Sequence, residues 1–367
     1  MTGRSAIQSG QVTALYLFDV AHAIDVGAAR QRLGASAGVA RLDDKTAGPA
    51  RLAYAQPPVV ADGKVFGCAE LDGFRVRVKC YDYGVISLML SRPFQGDWPD
   101  LVALGQTLIE NEPLENHATA ACRLVVDRLG AALSGLRAAW LSEDYLVFTV
   151  TALDEPTTSA QVLEQHGRDI AQLLRGERAP LSEQECGTVL GNAMSYLAND
   201  LVVSTWNASF VYDSDAGALA AIEIFELVNS QLLEYRYHDD LLESELSRIY
   251  ASLQRPRWTD RFAGRRHTRA ARQLQALFID VNELTDRTEN AVKFVGDIYA
   301  ARLFGLVAAR LGLERWKRNV EEKLKTLDDI YRFAVEQTGM SQANLLELAI
   351  VLILVLELAL FFAGIMD

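Results

Sequence analysis

Over the first 150 residues, apolar positions recur with two alternating periods. Phe74–Tyr83 (FRVRVKCYDY) alternates apolar with polar or charged residues, which predicts a strand with one wet face. Ala14–Val20, Val85–Leu90 and Tyr145–Leu153 read as further strands, with Gly84 permitting a bend or bulge before the second of these. Val26–Leu33, Trp98–Glu110 and His117–Leu133 carry helical spacing, and Ala35–Asp72, rich in Gly, Ala and Pro, predicts loops with one short strand. A small sheet covered by helices on one face is expected, an α+β head over residues 1–154.

Glu155-Pro156-Thr157-Thr158 breaks this pattern. Helices around Ser159–Leu174 and Ser182–Ala198 follow, then a strand or hairpin arm over Asp200–Tyr212, expected to pair with the same sheet because isolated strands are marginal. Residues 155–215 thus form a second α+β segment that completes the head.

Beyond residue 216 the pattern changes to 3,4 spacing. Phe225, Val228, Leu232, Tyr235, Asp239, Leu242, Leu246, Ile249 and Leu253 form one heptad seam. Leu274, Leu277, Val281, Leu284, Thr288, Ala291, Val295 and Ile298 form another. The turn Gln254–Gly264 would join them as a long antiparallel hairpin, and Ala216–Leu253 alone would span about 57 Å. A stalk helix over Leu313–Gln337 follows, so residues 216–340 read as hairpin and stalk.

The final apolar run, Leu345–Met366, is about 33 Å long as a helix and matches a hydrocarbon core of about 30 Å. Within Leu348–Met366 the Leu, Ile, Val and Phe residues favour insertion by roughly 4–8 kcal/mol, against about 3 kcal/mol for Glu357 near the middle. Residues 341–367 are therefore expected to be a C-terminal transmembrane anchor. Glu357 is a candidate for assembly, facing a partner helix or protonated. Lys325 and Arg332 precede the run and no Lys or Arg follows, which keeps the bulk of the chain cytoplasmic.

Composition refines this picture. A net charge of −12 argues against general nucleic-acid binding. Cys68, Cys80, Cys122 and Cys186 lack metal-ligand spacing and read as buried hydrophobes. The polar segment Met1–Gln11 has no apolar signal core, so a reducing cytoplasm is expected.

The sharpest charge feature is the hairpin turn, where Arg255, Arg257, Arg261, Arg265, Arg266, Arg269 and Arg272 fall within 18 residues. Such a field suits an acidic protein surface, phospholipid headgroups or RNA. The chain's own 48 acidic residues could equally neutralise it.

Asp239 at a seam position predicts an ion pair or register-setting contact near Arg287 or Thr288 rather than catalysis. His238 beside it points elsewhere around the helix. His22, His117 and His166 stand alone, and Asp82 reads as a strand-end residue. No HExxH, GxSxG or P-loop pattern occurs, so no catalytic residue, metal or cofactor is assigned.

Three stretches carry a family resemblance. Tyr81-Asp82-Tyr83-Gly84-Val85-Ile86 resembles an aromatic-acidic-aromatic-Gly-hydrophobic signature. Trp206–Asp213 running into the helix from Ala216 resembles a central region, and Glu314–Tyr331 leading to an apolar helix with one embedded glutamate resembles a tail. Together they resemble the required-for-meiotic-nuclear-division proteins, built on a domain of unknown function. The resemblance implies membrane association, with mitochondrial members tied to the inner membrane and to organellar translation, and it transfers no catalytic residue. The expectation from the whole chain is a membrane-tethered, self-assembling scaffold or adaptor, in contact with lipid through its last helix. The alternatives are an RNA- or ribosome-associated protein acting through the arginine turn, or an enzyme with an unrecognised site in the head.

Overall fold

The computed structural model describes residues 6–34, 37–39, 56–109, 111–254 and 298–330, with residues 279, 332 and 351. Its centre is a mixed sheet of ten strands. In chain order the elements are β1 (Ile7–Ile24), α1 (Val26–Leu33), β2 (Ala37–Val39), β3 (Val59–Asp62), β4 (Glu70–Leu71), β5 (Phe74–Cys80) and β6 (Val85–Gly96). They continue as α2 (Trp98–Leu108), α3 (Glu112–Leu129), β7 (Leu133–Leu153), α4 (Ser159–Arg175), α5 (Glu183–Leu190), β8 (Ala193–Met194), β9 (Leu201–Ser204), β10 (Ala208–Tyr212), α6 (Asp215–Gln254) and α7 (Ile298–Arg310).

The strand order is β2-β3-β5-β6-β1-β7-β10-β9-β8, with β4 beside β5. All pairings are antiparallel except β7 with β10, which the α4–α5 crossover makes parallel. The hairpin expected over Asp200–Tyr212 is β9–β10, and it joins this sheet through β7.

The sheet is larger than the small one expected, and both of its faces carry buried side chains. β1 extends over 18 residues and β7 over 21, well beyond their apolar runs. Their polar ends are held by β1–β7 pairing, which reaches from Ile7↔Leu153 to Ile24↔Leu133. The described residues between 37 and 71 supply three short strands where one was expected.

Alternation divides β1 between two layers. Val12, Ala14, Tyr16, Phe18 and Val20 enter the main core with Trp98, Leu101, Cys122, Val125, Ile170 and Leu174 from α2–α4. Thr13, Leu15, Leu17 and Asp19 are equally buried but face the other way, toward α6. Helix ends follow from capping. Thr158 and Gln161 form a reciprocal capping box at α4, and Gly176 closes it in the left-handed region.

The chain falls into two compact units, Met1–Tyr237 with Thr285–Trp316, and His238–Leu284 with Lys317–Asp367. In the first, residues 224–235 of α6 are almost all buried whichever side of the helix they lie on, so this stretch is a core helix rather than a two-faced seam. By length and composition Asp215–Arg248 could cross a membrane, but 83% of its most apolar window is buried within the protein. In the second unit the pattern narrows to one face of α6, with His238, Leu242 and Leu246 buried. Residues 313–330 are helical, and within this unit they bury Val320, Leu324 and Leu327.

Five parts of the sequence reading lie outside the described residues: residues 35–36 and 40–55 of the loop stretch, the turn Gln254–Gly264 beyond its first residue, the second seam before Ile298 except Ile279, the stalk's last residues and the run Leu345–Met366 except Val351.

Candidate functional site

Between α6 and the sheet lies a layer of buried polar and charged side chains. Its strand half comes from alternation, because one rung carries Lys79, Ser87, Leu17 and Glu143 on the same face of β5, β6, β1 and β7. Its helix half comes from residues of α6 up to Tyr237. Lys79 pairs with Glu226, their side chains 5% and 0% exposed. Arg236 pairs with Glu143, and the Tyr83 hydroxyl lies 2.7 Å from Ser230 Oγ.

Asp19 and Arg137 form the deepest pair within the sheet itself. Arg137 Nε donates to Asp19 Oδ1 at 2.6 Å, and the guanidinium stacks 3.3 Å from the centre of the Tyr237 ring. The β1–β7 register slips here, from Asp19↔Leu141 to Ala21↔Leu136, and the extra residues of β7 re-aim Arg137 onto Asp19. Burial pushes the Asp19 carboxyl up to about 6, although Arg137 and His22 both favour its ionised form. Glu223, one turn before Glu226, is also pushed up, by burial first, with Lys79 opposing.

Tyr145 anchors the far side of the layer. Its hydroxyl lies 2.7 Å from Ser209 Oγ and 3.0 Å from Ser204 Oγ, and it donates to the Thr205 carbonyl at 3.1 Å. Its ring stacks on Phe225 of α6 at 5.6 Å. Burial pushes this phenol up to about 12, so it serves as a neutral donor. One side chain thereby ties β7 to β9, β10 and α6.

The hairpin joining β5 to β6 closes the layer at one end. Tyr81 and Tyr83 stack at 5.1 Å, and Gly84, at φ +96°, returns the chain into β6. A Cβ at Gly84 would fall 1.8 Å from the Ala21 carbonyl oxygen, so close approach as well as conformation demands glycine. The Gly84 carbonyl in turn accepts from the Val20 amide at 3.2 Å. Asp82 is half-buried in this turn, and its carbonyl accepts from the Ile24 amide at 2.9 Å.

The sequence-predicted candidates are distributed differently. Arg255, Arg257, Arg261, Arg265, Arg266, Arg269, Arg272 and Glu357 lie outside the described residues. Asp239 makes an ion pair with Lys323 Nζ at 3.0 Å, and Lys323 also reaches Glu243 at 2.9 Å; Arg287 and Thr288, the contacts expected for Asp239, lie outside the described residues. His117 pairs with Asp72 at 2.7 Å on the surface, and His166 stacks on Trp98 at 4.2 Å inside the main core. All four cysteines are buried free thiols, and burial pushes Cys80 up to about 12. Among the described residues, no three His, Cys, Asp or Glu side chains are grouped to hold a metal ion.

Asp19, Lys79, Arg137, Tyr145 and Glu226 escaped the sequence reading. The available signal was polarity inside apolar runs: Asp19 in ALYLFDV, Lys79 in FRVRVKC and Glu226 within the apolar start of α6.

A model described as the N-terminal domain of uncharacterized protein MJ0711 matches residues 9–218. The chain belongs to that family. The MJ0711 N-terminal domain family is a domain of unknown function, and its match covers the sheet, except for the first two residues of β1, and the first turn of α6. The strand half of the polar layer therefore lies inside the MJ0711-type domain, and Glu226, Ser230 and Arg236 lie beyond it. Uncharacterized protein MJ0711 of Methanocaldococcus jannaschii is 23% identical over 223 residues, covering 61% of this chain and 67% of that protein. No solved structure matches the chain.

Proposed function

We propose that the protein is a membrane-tethered scaffold or adaptor that assembles with copies of itself, its MJ0711-type head held in the cytoplasm. The observation that carries this reading is the occupation of the second sheet face. Three polar side chains of that face are paired beneath α6, Lys79 with Glu226, Glu143 with Arg236 and Tyr83 with Ser230. Such pairing fixes one helix in one register, which is what a load-carrying support requires.

The tether is the apolar run Leu345–Met366, with Glu357 as the assembly contact. Likeness of Tyr81–Ile86 and Trp206–Asp213 to the required-for-meiotic-nuclear-division proteins supports membrane association. The arginines from Arg255 to Arg272 supply the surface for an acidic partner. Fractionation tests the tether: deleting 344–367 is expected to move the protein from carbonate-resistant membranes to the soluble fraction. A truncated chain that still pellets after carbonate washing rejects it. Chemical crosslinking of the full chain in native membranes tests assembly, and recovery of monomers alone counts against it.

A further inference from the structure

β7 has a strand on both sides over only part of its length. β1 pairs with it from Leu133 to Leu153, whereas β10 meets it only from Leu146 to Val150. Among the described residues, Leu133–Tyr145 is therefore a sheet edge with no strand beside it. The Leu146 amide donates to the Asn207 carbonyl at 3.0 Å, so Leu146 turns its peptide groups away from β1. Alternation sends those of Ser142 and Asp144 the same way, into a lane that β10 leaves empty.

Open edges are ordinarily guarded by Lys or Pro, and Leu133–Tyr145 contains neither. Ala138 and Ala139, small and exposed at its middle, leave room for a second backbone. Arg137 and Glu143 are engaged on the α6 side, with Asp19 and Arg236. Each end of the lane carries a large exposed apolar side chain. Leu136, 59% exposed, stands at one end, and Trp206, 67% exposed, at the other, in the β9–β10 turn beside Asn207.

We propose that this edge pairs with the same edge of a second copy of the chain, antiparallel about a two-fold axis near Ala139. Two-fold reversal exchanges the ends of the lane, so Leu136 of one protomer meets the partner's Trp206, and both exposed apolar groups are covered. The same reversal sets the acidic end, Glu143 and Asp144, toward the end that bears Arg137 rather than against itself. A strand is what the lane's peptide groups require, and the second copy supplies one of matching length and complementary ends. The proposal rests on the self-assembly reading and names its surface on the head.

Crosslinking in intact cells producing the full chain tests it. A short bis-maleimide is applied to Ala139→Cys, and a lysine-reactive reagent is applied in parallel to report assembly through any surface. The four native cysteines are buried, so the unaltered chain supplies the blank. A dimer linked through position 139 is expected. Ser142→Pro, which removes an amide directed away from β1, is expected to lower its yield about tenfold, since each protomer loses one ladder bond. Should that variant fail to fold, Leu136→Lys replaces it and is expected to act in the same direction. Multimers from the lysine reagent without a dimer through position 139 overturn the edge and leave the assembly reading standing. Monomers under both reagents overturn the two together. A different protein captured at position 139 overturns the choice of a second copy, and a dimer that neither folded variant weakens overturns strand pairing.

Discussion

Lys79 on β5 and Glu226 on α6, 147 residues apart in the chain, form an ion pair with almost no solvent exposure. Two charges removed from water are tolerated only while each compensates the other, so the pair dictates position more than it adds stability. Replacing one partner alone, Lys79→Met or Glu226→Gln, is expected to destabilise the protein by about 3–5 kcal/mol. The double replacement Lys79→Met with Glu226→Leu is expected to recover most of that loss. Urea unfolding followed by circular dichroism measures both, and equal losses in single and double variants would contradict the pairing.

Asp19 predicts a pH dependence of definite sign. Its carboxyl, at about 6 in the folded protein, lies above the ordinary carboxylate range, so the folded state holds the proton more tightly than the unfolded one. The stability this contributes is complete below about pH 4 and is lost as pH rises through 6. Asp19→Asn lacks that titration. Its stability relative to the parent is therefore expected to rise by about 2–3 kcal/mol between pH 4 and pH 7. Parallel unfolding series across this window check it, and a constant difference would show that Asp19 titrates normally.

Tyr145→Phe removes one hydroxyl and keeps the ring against Phe225. Ser204 and Ser209 remain 2.8 Å from each other, so part of the network survives. A loss of about 1–2 kcal/mol in denaturant unfolding is expected. An unchanged midpoint would mean that the hydroxyl carries no weight in joining β7 to β10.

Gly84→Ala faces both an unfavourable φ and the Ala21 carbonyl. The β5–β6 turn must move away from β1 to accept it, and a loss above about 3 kcal/mol is expected, seen as a large fall in melting temperature or in soluble yield. Retention of the parent's melting temperature would show that the turn yields easily.

The sequence revealed strands where apolar residues ran together and hid them where pairing did the work. Tyr145–Leu153 was legible as YLVFTVTAL, whereas Leu133–Asp144 contains Ser, Gly, Arg, Glu and Asp and becomes strand only because β1 lies beside it. Heptad counting found α6 but misread its first half. Phe225, Val228, Leu232 and Tyr235 do recur at 3,4 spacing, yet Glu226, Ser230 and Glu234 between them are buried too. No local rule distinguishes a glutamate on a wet face from one that meets a lysine 147 residues earlier. Asp239 carried the right kind of signal, an acid among apolar positions, but its partner Lys323 is 84 residues away.

The placement of β1 at the middle of the sheet sets the order of biosynthesis against the order of assembly. Leu15 must wait for Tyr145, about 130 residues later, before its second neighbour exists. At roughly 5–20 residues per second, this largely buried strand emerges from the ribosome about 6–25 s before its site is complete. Such distant pairing makes folding slow and leaves a sticky nascent segment, so chaperone capture of chains that end before residue 133 belongs to this topology.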